Sequence, residues 1–225
     1  MTPRFVVLAA LAILVAAQST EPAMEIDFEA FEVGHAPTGF STALTGGGGS
    51  VAWVVQEDPL QQGAGKVLVQ TSAESTSYRF PLCVADGFTA RDVDLKVRFA
   101  PLSGKVDRAA GLVWRYRDAD NYYVVRANAL EGNVVLYKVE GGKRTDLKPT
   151  DAGWLAYGVR TEVPSAKWSE LTITARGNRF GVSLNGKHLF DVEDATFPNA
   201  GKVGVWTKAD SVTAFDRLSA VSADH

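Results

Sequence analysis

The chain has a single cysteine, Cys83, in 225 residues. No internal disulfide can form, so packing must hold the fold together. A lone thiol of this kind reads as a small buried apolar residue rather than a nucleophile. The three histidines, His35, His188 and His225, are scattered, and no two have metal-ligand spacing. A Gly-rich phosphate loop ahead of a helix is missing, and so is a nucleophile elbow. Lys and Arg (23) are outnumbered by Asp and Glu (26), with no basic block. That balance argues against nucleic acid or an anionic membrane surface as partner. No cofactor and no metal are expected. Nothing reaches the roughly 20 apolar residues that a membrane-spanning helix needs, and no helical apolar period appears after residue 17.

The longest apolar run, Phe5–Ala17, spans 13 residues. It follows the positively charged start "MTPR" and ends on the small residues "VAA". This is the pattern of a secretory signal peptide over residues 1–17. No cysteine closes the run, which excludes a lipid anchor there. The expected organisation is a signal peptide (1–17), a short linker (18–24) and one domain (25–222). The expected destination is the periplasm or the exterior.

Past residue 17 the dominant period is two. In "DVDLKVRF", Val93, Leu95, Val97 and Phe99 alternate with Asp92, Asp94, Lys96 and Arg98. That is a half-buried antiparallel strand. "ELTITAR" repeats the pattern with Leu171, Ile173 and Ala175. "NG" at Asn185–Gly186 predicts a three-residue hairpin loop, Asn185–Lys187, that aligns Phe190 and Val192 with Val182 and Phe180. "EGN" (131–133) and "GG" (141–142) mark further turns. "GGGGS" (46–50) is read as a surface loop inside the domain. Many short strands with regular turns predict an all-β, antiparallel sandwich or jelly roll.

The stretch Gly111–Leu147 is the most informative. With "DADN" (118–121) as a turn, Arg117 lies opposite Tyr122 and Trp114 opposite Val125. One face then gathers Leu112, Trp114, Tyr116, Tyr123, Val125 and Ala127. The other gathers Arg115, Arg117, Tyr122, Arg126 and Asn128 with two valines. The polar face has two readings. It is a sugar-binding face, since arginine offers a planar fork of donors to hydroxyls or a uronate carboxylate. Or it is a solvated outer face. Trp154 and Tyr157, in "DAGWLAYG", are either binding platforms or caps of the core. Asp118, Asp120 and Asn121 read as a plain turn rather than a calcium loop.

This stretch, with "GNRFGVSLNGKHLFDVED" and "GKVGVWTKADSVTAFDRLS", resembles exported laminin-G-like members of the concanavalin A-like lectin/glucanase superfamily. These are grouped with the 3-keto-disaccharide hydrolase domain, loosely called family-16 glycoside hydrolase-like. The resemblance implies a concanavalin A-like sandwich over about Glu25–Ser219. That superfamily holds lectins and enzymes alike. "EIDFE" (25–29) also resembles the signature of family-16 glycoside hydrolases, which would make Glu25 and Glu29 a carboxylate pair on one strand face. Its place at the start of the domain favours a structural first strand instead, with Ile26 and Phe28 core-facing. The resulting expectation is an exported, non-catalytic carbohydrate-binding module, the alternative being a carbohydrate-active hydrolase or keto-glycoside lyase. The oligomeric state is left open. Export should remove residues 1–17 to within a few positions. N-terminal sequencing of the exported protein tests this, and an intact Met1 in the membrane fraction would contradict it.

Overall fold

The computed structural model describes residues 23–151 and 157–224. The expected signal peptide and Trp154 fall outside them. Sixteen strands occur among the described residues. The first eight are β1 (Ala23–Ile26), β2 (Phe40–Gly46), β3 (Trp53–Glu57), β4 (Lys66–Gln70), β5 (Arg79–Ala90), β6 (Val93–Ser103), β7 (Ala109–Asp118) and β8 (Asn121–Asn128). There follow β9 (Asn133–Glu140), β10 (Lys143–Leu147), β11 (Val159–Arg160), β12 (Ser169–Arg176), β13 (Arg179–Leu184), β14 (Lys187–Glu193), β15 (Gly201–Trp206) and β16 (Val212–Ser222). The first strand thus begins two residues before the expected domain boundary.

Two antiparallel sheets result. Sheet A has the order β14-β13-β12-β6-β16-β4-β3, with β1 paired to β16. Sheet B has the order β10-β9-β8-β7-β15-β5-β2, with β11 paired to β9. This is the expected all-β sandwich. The alternation in β6 and β12 places Val93, Leu95, Val97, Phe99, Leu171, Ile173 and Ala175 in the core between the sheets. Trp114, Tyr123, Val125 and Cys83 face them from sheet B. Burial, then the charge of Asp86, pushes the Cys83 thiol well above its usual range. Cys83 is therefore an inert apolar filler.

Sheet B has a second apolar set. Phe80, Leu82, Val84, Val113, Tyr122, Val124, Val135, Tyr137, Val139 and Trp206 are buried on its other face. They alternate along the strands with the inner residues, so they lie on the outer side of the sheet. The sheet curls to bury them. The Arg144 guanidinium carbon lies 4.4 Å from the Tyr137 ring centre on β9 and 4.7 Å from the Phe80 ring centre on β5. In a flat sheet, strands four places apart would be about 19 Å apart. Only a strongly concave outer face brings both rings onto one side chain.

Three local expectations need correction. The 118–121 turn forms, with Asp118 paired to Asn121, but beyond it Trp114 pairs with Tyr123 rather than Val125. A bulge absorbs the difference. Arg115 takes a left-handed conformation (φ 49°), and β15 crosses there at Gly201, where a Cβ would sit 2.4 Å from the Arg115 carbonyl carbon. Arg115 and Tyr116 thereby exchange sides. Tyr116 joins Tyr122 on the outer face, ring centres 5.9 Å apart. The Arg115 side chain, 1% exposed, turns to one end of the sandwich. There it donates to the carbonyls of Arg91 (2.8 Å), Phe197 (2.8 Å) and Gly177 (2.5 Å) and to the Asp92 carboxylate (3.2 Å). Arg115 is a structural knot tying three segments together.

The second correction concerns "NG". Asn185 and Gly186, both at positive φ, form a two-residue type I′ turn, with Leu184 paired to Lys187. Phe190 still opposes Val182, because a register shift beyond the turn supplies the extra residue that was expected in the loop. The third concerns "EIDFE", which is not one strand. β1 stops at Ile26, the Asp27 carboxylate accepts the Glu29 N–H (3.2 Å), and Phe28 reaches the core from φ 64°. Glu29 turns toward β4 and accepts the Lys66 N–H (2.9 Å). Glu25 and Glu29 therefore do not share a strand face.

Arg115→Ala should destabilise the fold by about 3–5 kcal/mol, since it leaves buried carbonyls and a carboxylate unmatched. Arg117→Ala, on an exposed residue beside the turn, should change stability by no more than about 0.5 kcal/mol. Equilibrium denaturation of both variants tests the assignment, and equal effects would refute it.

Candidate functional site on the outer face of sheet B

The polar groups of sheet B collect at one end of its concave face. Arg126 and Asn128 are outward residues of β8, and Asn133 lies opposite Asn128 on β9. The four-residue loop between them carries Glu131. Asn128 shapes that loop, its side-chain oxygen accepting the N–H groups of Leu130 (2.9 Å) and Glu131 (3.2 Å). Glu131 is thereby aimed back over the sheet. Arg126, fully buried, donates to both Glu131 oxygens at 3.0 and 2.7 Å and to the Asn133 side-chain oxygen at 2.8 Å. Asn128 donates to Asp107 (2.5 Å) and Glu131 (3.2 Å). Asp107 also accepts from the Lys208 ammonium. Arg126, Glu131, Asn133, Asn128, Asp107 and Lys208 thus form one connected network.

Aromatic rings continue the face. Tyr157 is 46% exposed, and its hydroxyl lies 2.6 Å from that of Tyr137. The Arg126 guanidinium carbon is 5.6 Å from the Tyr137 ring centre and 5.8 Å from that of Tyr157. Gly158, at φ 61°, lets this segment lie on β9, since a Cβ there would meet the Val134 oxygen at 2.2 Å. Farther along, Arg144 sits against Tyr137 and Phe80. Beyond Phe80 is Tyr78, 43% exposed, its ring centre 4.7 Å from that of Phe80. The Tyr78 hydroxyl accepts the backbone N–H of Arg144 (2.7 Å) and donates to the Gly142 carbonyl (2.8 Å). Two exposed tyrosines therefore flank a row of ordered guanidinium, carboxylate and amide groups.

Burial works against ionising Glu131, but the hydrogen bonds and charge of Arg126, with Asn133 and Lys208, outweigh it and hold the carboxyl below the usual glutamate range. Burial pushes the Tyr137 hydroxyl upward, despite opposing charges from Arg126 and Arg144. Glu131 is thus an acceptor at neutral pH, and Tyr137 stays a neutral hydroxyl.

Of the residues expected to bind a ligand, Arg126, Asn128 and Tyr157 meet here. Tyr122 shares the face but lies deeper, its hydroxyl 2.7 Å from that of Thr45. Arg115 and Arg117 do not join them, for the reasons above. Glu25 lies at the edge of sheet A, in a cleft with Lys96, Arg98, Glu170 and Arg217. Glu131, Asn133, Asp107, Lys208, Arg144, Tyr137 and Tyr78 were not anticipated. The first two carried a signal. In "NALEGN" the polar residues bordering the turn fall on the same outward positions as Arg126. Asp107 and Lys208 carried none, being 101 residues apart.

The geometry is that of a curled β-sandwich with a concave outer sheet. No protein-family model matches the chain. No curated protein matches it either. Among solved structures it is similar in fold to the carbohydrate-binding module CBM66 of Bacillus subtilis, with TM-score 0.62 and 19% identity, covering 82% of this chain and 96% of that one. It is also similar to a Shewanella oneidensis MR-1 protein of unknown function, with TM-score 0.56 and 15% identity, covering 94% and 92%. A third is a Bacillus subtilis protein of unknown function described as having a galectin-like fold, with TM-score 0.53 and 11% identity, covering 81% and 89%. These likenesses define the fold as a galectin-like β-sandwich.

A depressed folded-state pKa at Glu131 means that its carboxylate stabilises the fold above the ordinary glutamate pKa of about 4.3. That contribution disappears as the pH falls through the lower folded value. The stability gap between wild type and Glu131→Gln should therefore narrow below about pH 4.3. Unfolding curves across pH 2–7 check this, and parallel curves would rule it out.

Proposed function

We propose that the chain is an exported, non-catalytic carbohydrate-binding module of the concanavalin A-like class, akin to the laminin-G-like members grouped with the 3-keto-disaccharide hydrolase domain. The observation that carries this reading is the pair of exposed tyrosine rings flanking the Arg126–Glu131–Asn128 network. Sugars present apolar CH faces to rings, and hydroxyls that both donate and accept. Glu131 and Asn133 offer acceptors and Lys208 offers donors, while the fully buried Arg126 holds Glu131 in place. Their mutual hydrogen bonds fix these groups before a ligand arrives, which lowers the ordering cost of binding. The similarity of fold to a carbohydrate-binding module supports the reading, and the start "MTPR" with the Phe5–Ala17 run supports export. The alternative of hydrolysis through Glu25 and Glu29 loses its geometric basis, because the two carboxylates stand on separate elements.

Glycan-array binding by the purified protein tests the proposal, with affinities of positive glycans measured by calorimetry. Tyr157→Ala removes a stacking ring, and Glu131→Gln weakens hydrogen bonds made to a charged group. Each should cost roughly 1.5–3 kcal/mol, about a 10- to 150-fold loss of affinity. Glu25→Gln and Glu29→Gln should bind as wild type does. Unchanged binding in Tyr157→Ala and Glu131→Gln would remove the site from this face. Turnover of a glycan that collapses in Glu25→Gln or Glu29→Gln would replace binding by catalysis.

A further inference from the structure

Most charges on the concave face of sheet B have partners. Arg126 is matched by Glu131 and Lys208 by Asp107. Asp146, outward on β10, is matched by Lys148 at 2.5 Å. Arg144 remains. Among the described residues no carboxylate lies within ion-pair distance of its guanidinium, and its Nη1 is buried without an acceptor. What holds the group is aromatic, the rings of Tyr137 and Phe80 at 4.4 and 4.7 Å. Cation–π contact orients a guanidinium without satisfying its N–H donors.

Two other donors on this face share that condition. Arg126 Nε and Trp206 Nε1 are buried without acceptors among the described residues. The Trp206 ring centre is 5.3 Å from that of Phe80, the ring that also contacts Arg144. The face therefore offers surplus donors and, between the two exposed tyrosines, a partly buried positive charge with no counter-ion among the described residues. A neutral sugar needs donors and acceptors in balance. An acidic one brings the missing anion, and a carboxylate is flat and accepts two parallel N–H bonds from a guanidinium.

Building on the carbohydrate-binding reading, we propose that the ligand is an acidic glycan and that Arg144 receives the carboxylate of a uronic acid residue. Tyr78 and Tyr157 then contact the sugars to either side, and the Arg126–Glu131–Asn133 group reads hydroxyls of a neighbouring unit. Arg144 is in this account a specificity-determining residue, separating acidic from neutral chains.

Calorimetry on the purified protein tests this with tetrasaccharides of galacturonate and of glucuronate, their methyl esters, and a sulfated neutral tetrasaccharide. The expected result is at least ten-fold tighter binding of an acid than of its own methyl ester, with a preference that shrinks as salt rises. Arg144→Gln should erase the preference while the ester still binds, and Arg144→Lys should keep part of it, since charge remains without the fork. Melting curves show that the variants are folded, and the acid-against-ester comparison in wild type requires no variant. Equal affinity for acid and ester, or a preference that survives Arg144→Gln, overturns the uronate assignment and leaves a neutral-glycan module standing. Tight binding of the sulfated sugar alone also overturns it, in favour of a sulfate ester. If no glycan of any class binds, the carbohydrate-binding reading falls as well.

Discussion

The candidate site depends on the curl of sheet B. A flat sheet with apolar side chains on both faces would leave its outer set in water. Curling folds that set onto itself, and Phe80, Trp206, Tyr122 and Tyr137 become buried although no second sheet among the described residues covers them. The same curl imposes a condition on every polar residue in the concavity. A guanidinium removed from water must find acceptors or carry an unmet desolvation cost. Arg126 meets that condition through Glu131 and Asn133. Arg144 meets it only in part, by lying between two rings.

Arg115 and Arg126 stand on one hairpin and differ in what they do for a backbone reason. Arg126 lies on regular strand, so its side chain points straight out onto the concave face. Arg115 occupies a bulge, and one residue of left-handed backbone sends its side chain toward the end of the sandwich. There it caps loops instead of lining a site. Gly201 makes the bulge possible on the neighbouring strand, because any larger residue would collide with the Arg115 backbone. The difference between a structural and a ligand-facing arginine was decided on β15, the strand next to the hairpin.

The fold was legible in the sequence wherever one face of a strand is wet. β6 and β12 alternate cleanly, and their inward residues form the core as expected. The two-residue turn at Gly141–Gly142 was legible because both positions need positive φ. Sheet B was harder to read. "YYVV" in β8 is apolar on both faces, and alternation alone does not tell a concave, buried outer face from a solvated one. The bulge left no mark at Arg115, where a non-glycine residue takes φ 49°. The break after Ile26 was hidden by a perfect alternation in "EIDFE", which Asp27 interrupts with a local side-chain hydrogen bond. The site was half legible. Arg126, Asn128 and Tyr157 could be picked out from register and loop position. Asp107, Lys208 and Arg144 reach the face from distant segments, so only the fold brings them together.

The outer face of sheet A shows why charge alone would not have located the site. Its cleft beside β1 has a volume of about 480 Å³ and contains Glu25, Lys96, Arg98, Glu170 and Arg217. The cations there are compensated locally, Lys96 by Glu170 at 3.7 Å, Arg98 by Asp216 at 2.8 Å and Arg217 by Asp216 at 3.7 Å. Arg98 also lies 5.1 Å from the Trp168 ring centre, which anchors it further. A cation already paired within the protein asks for no further anion. On sheet B the Arg126–Glu131 and Lys208–Asp107 pairs each have one fully buried member, Arg144 has no counter-ion among the described residues, and several donors have no partner. A ligand that supplies an anion and acceptors gains on that face what it cannot gain on sheet A, because there Lys96, Arg98 and Arg217 each already have a carboxylate of the protein.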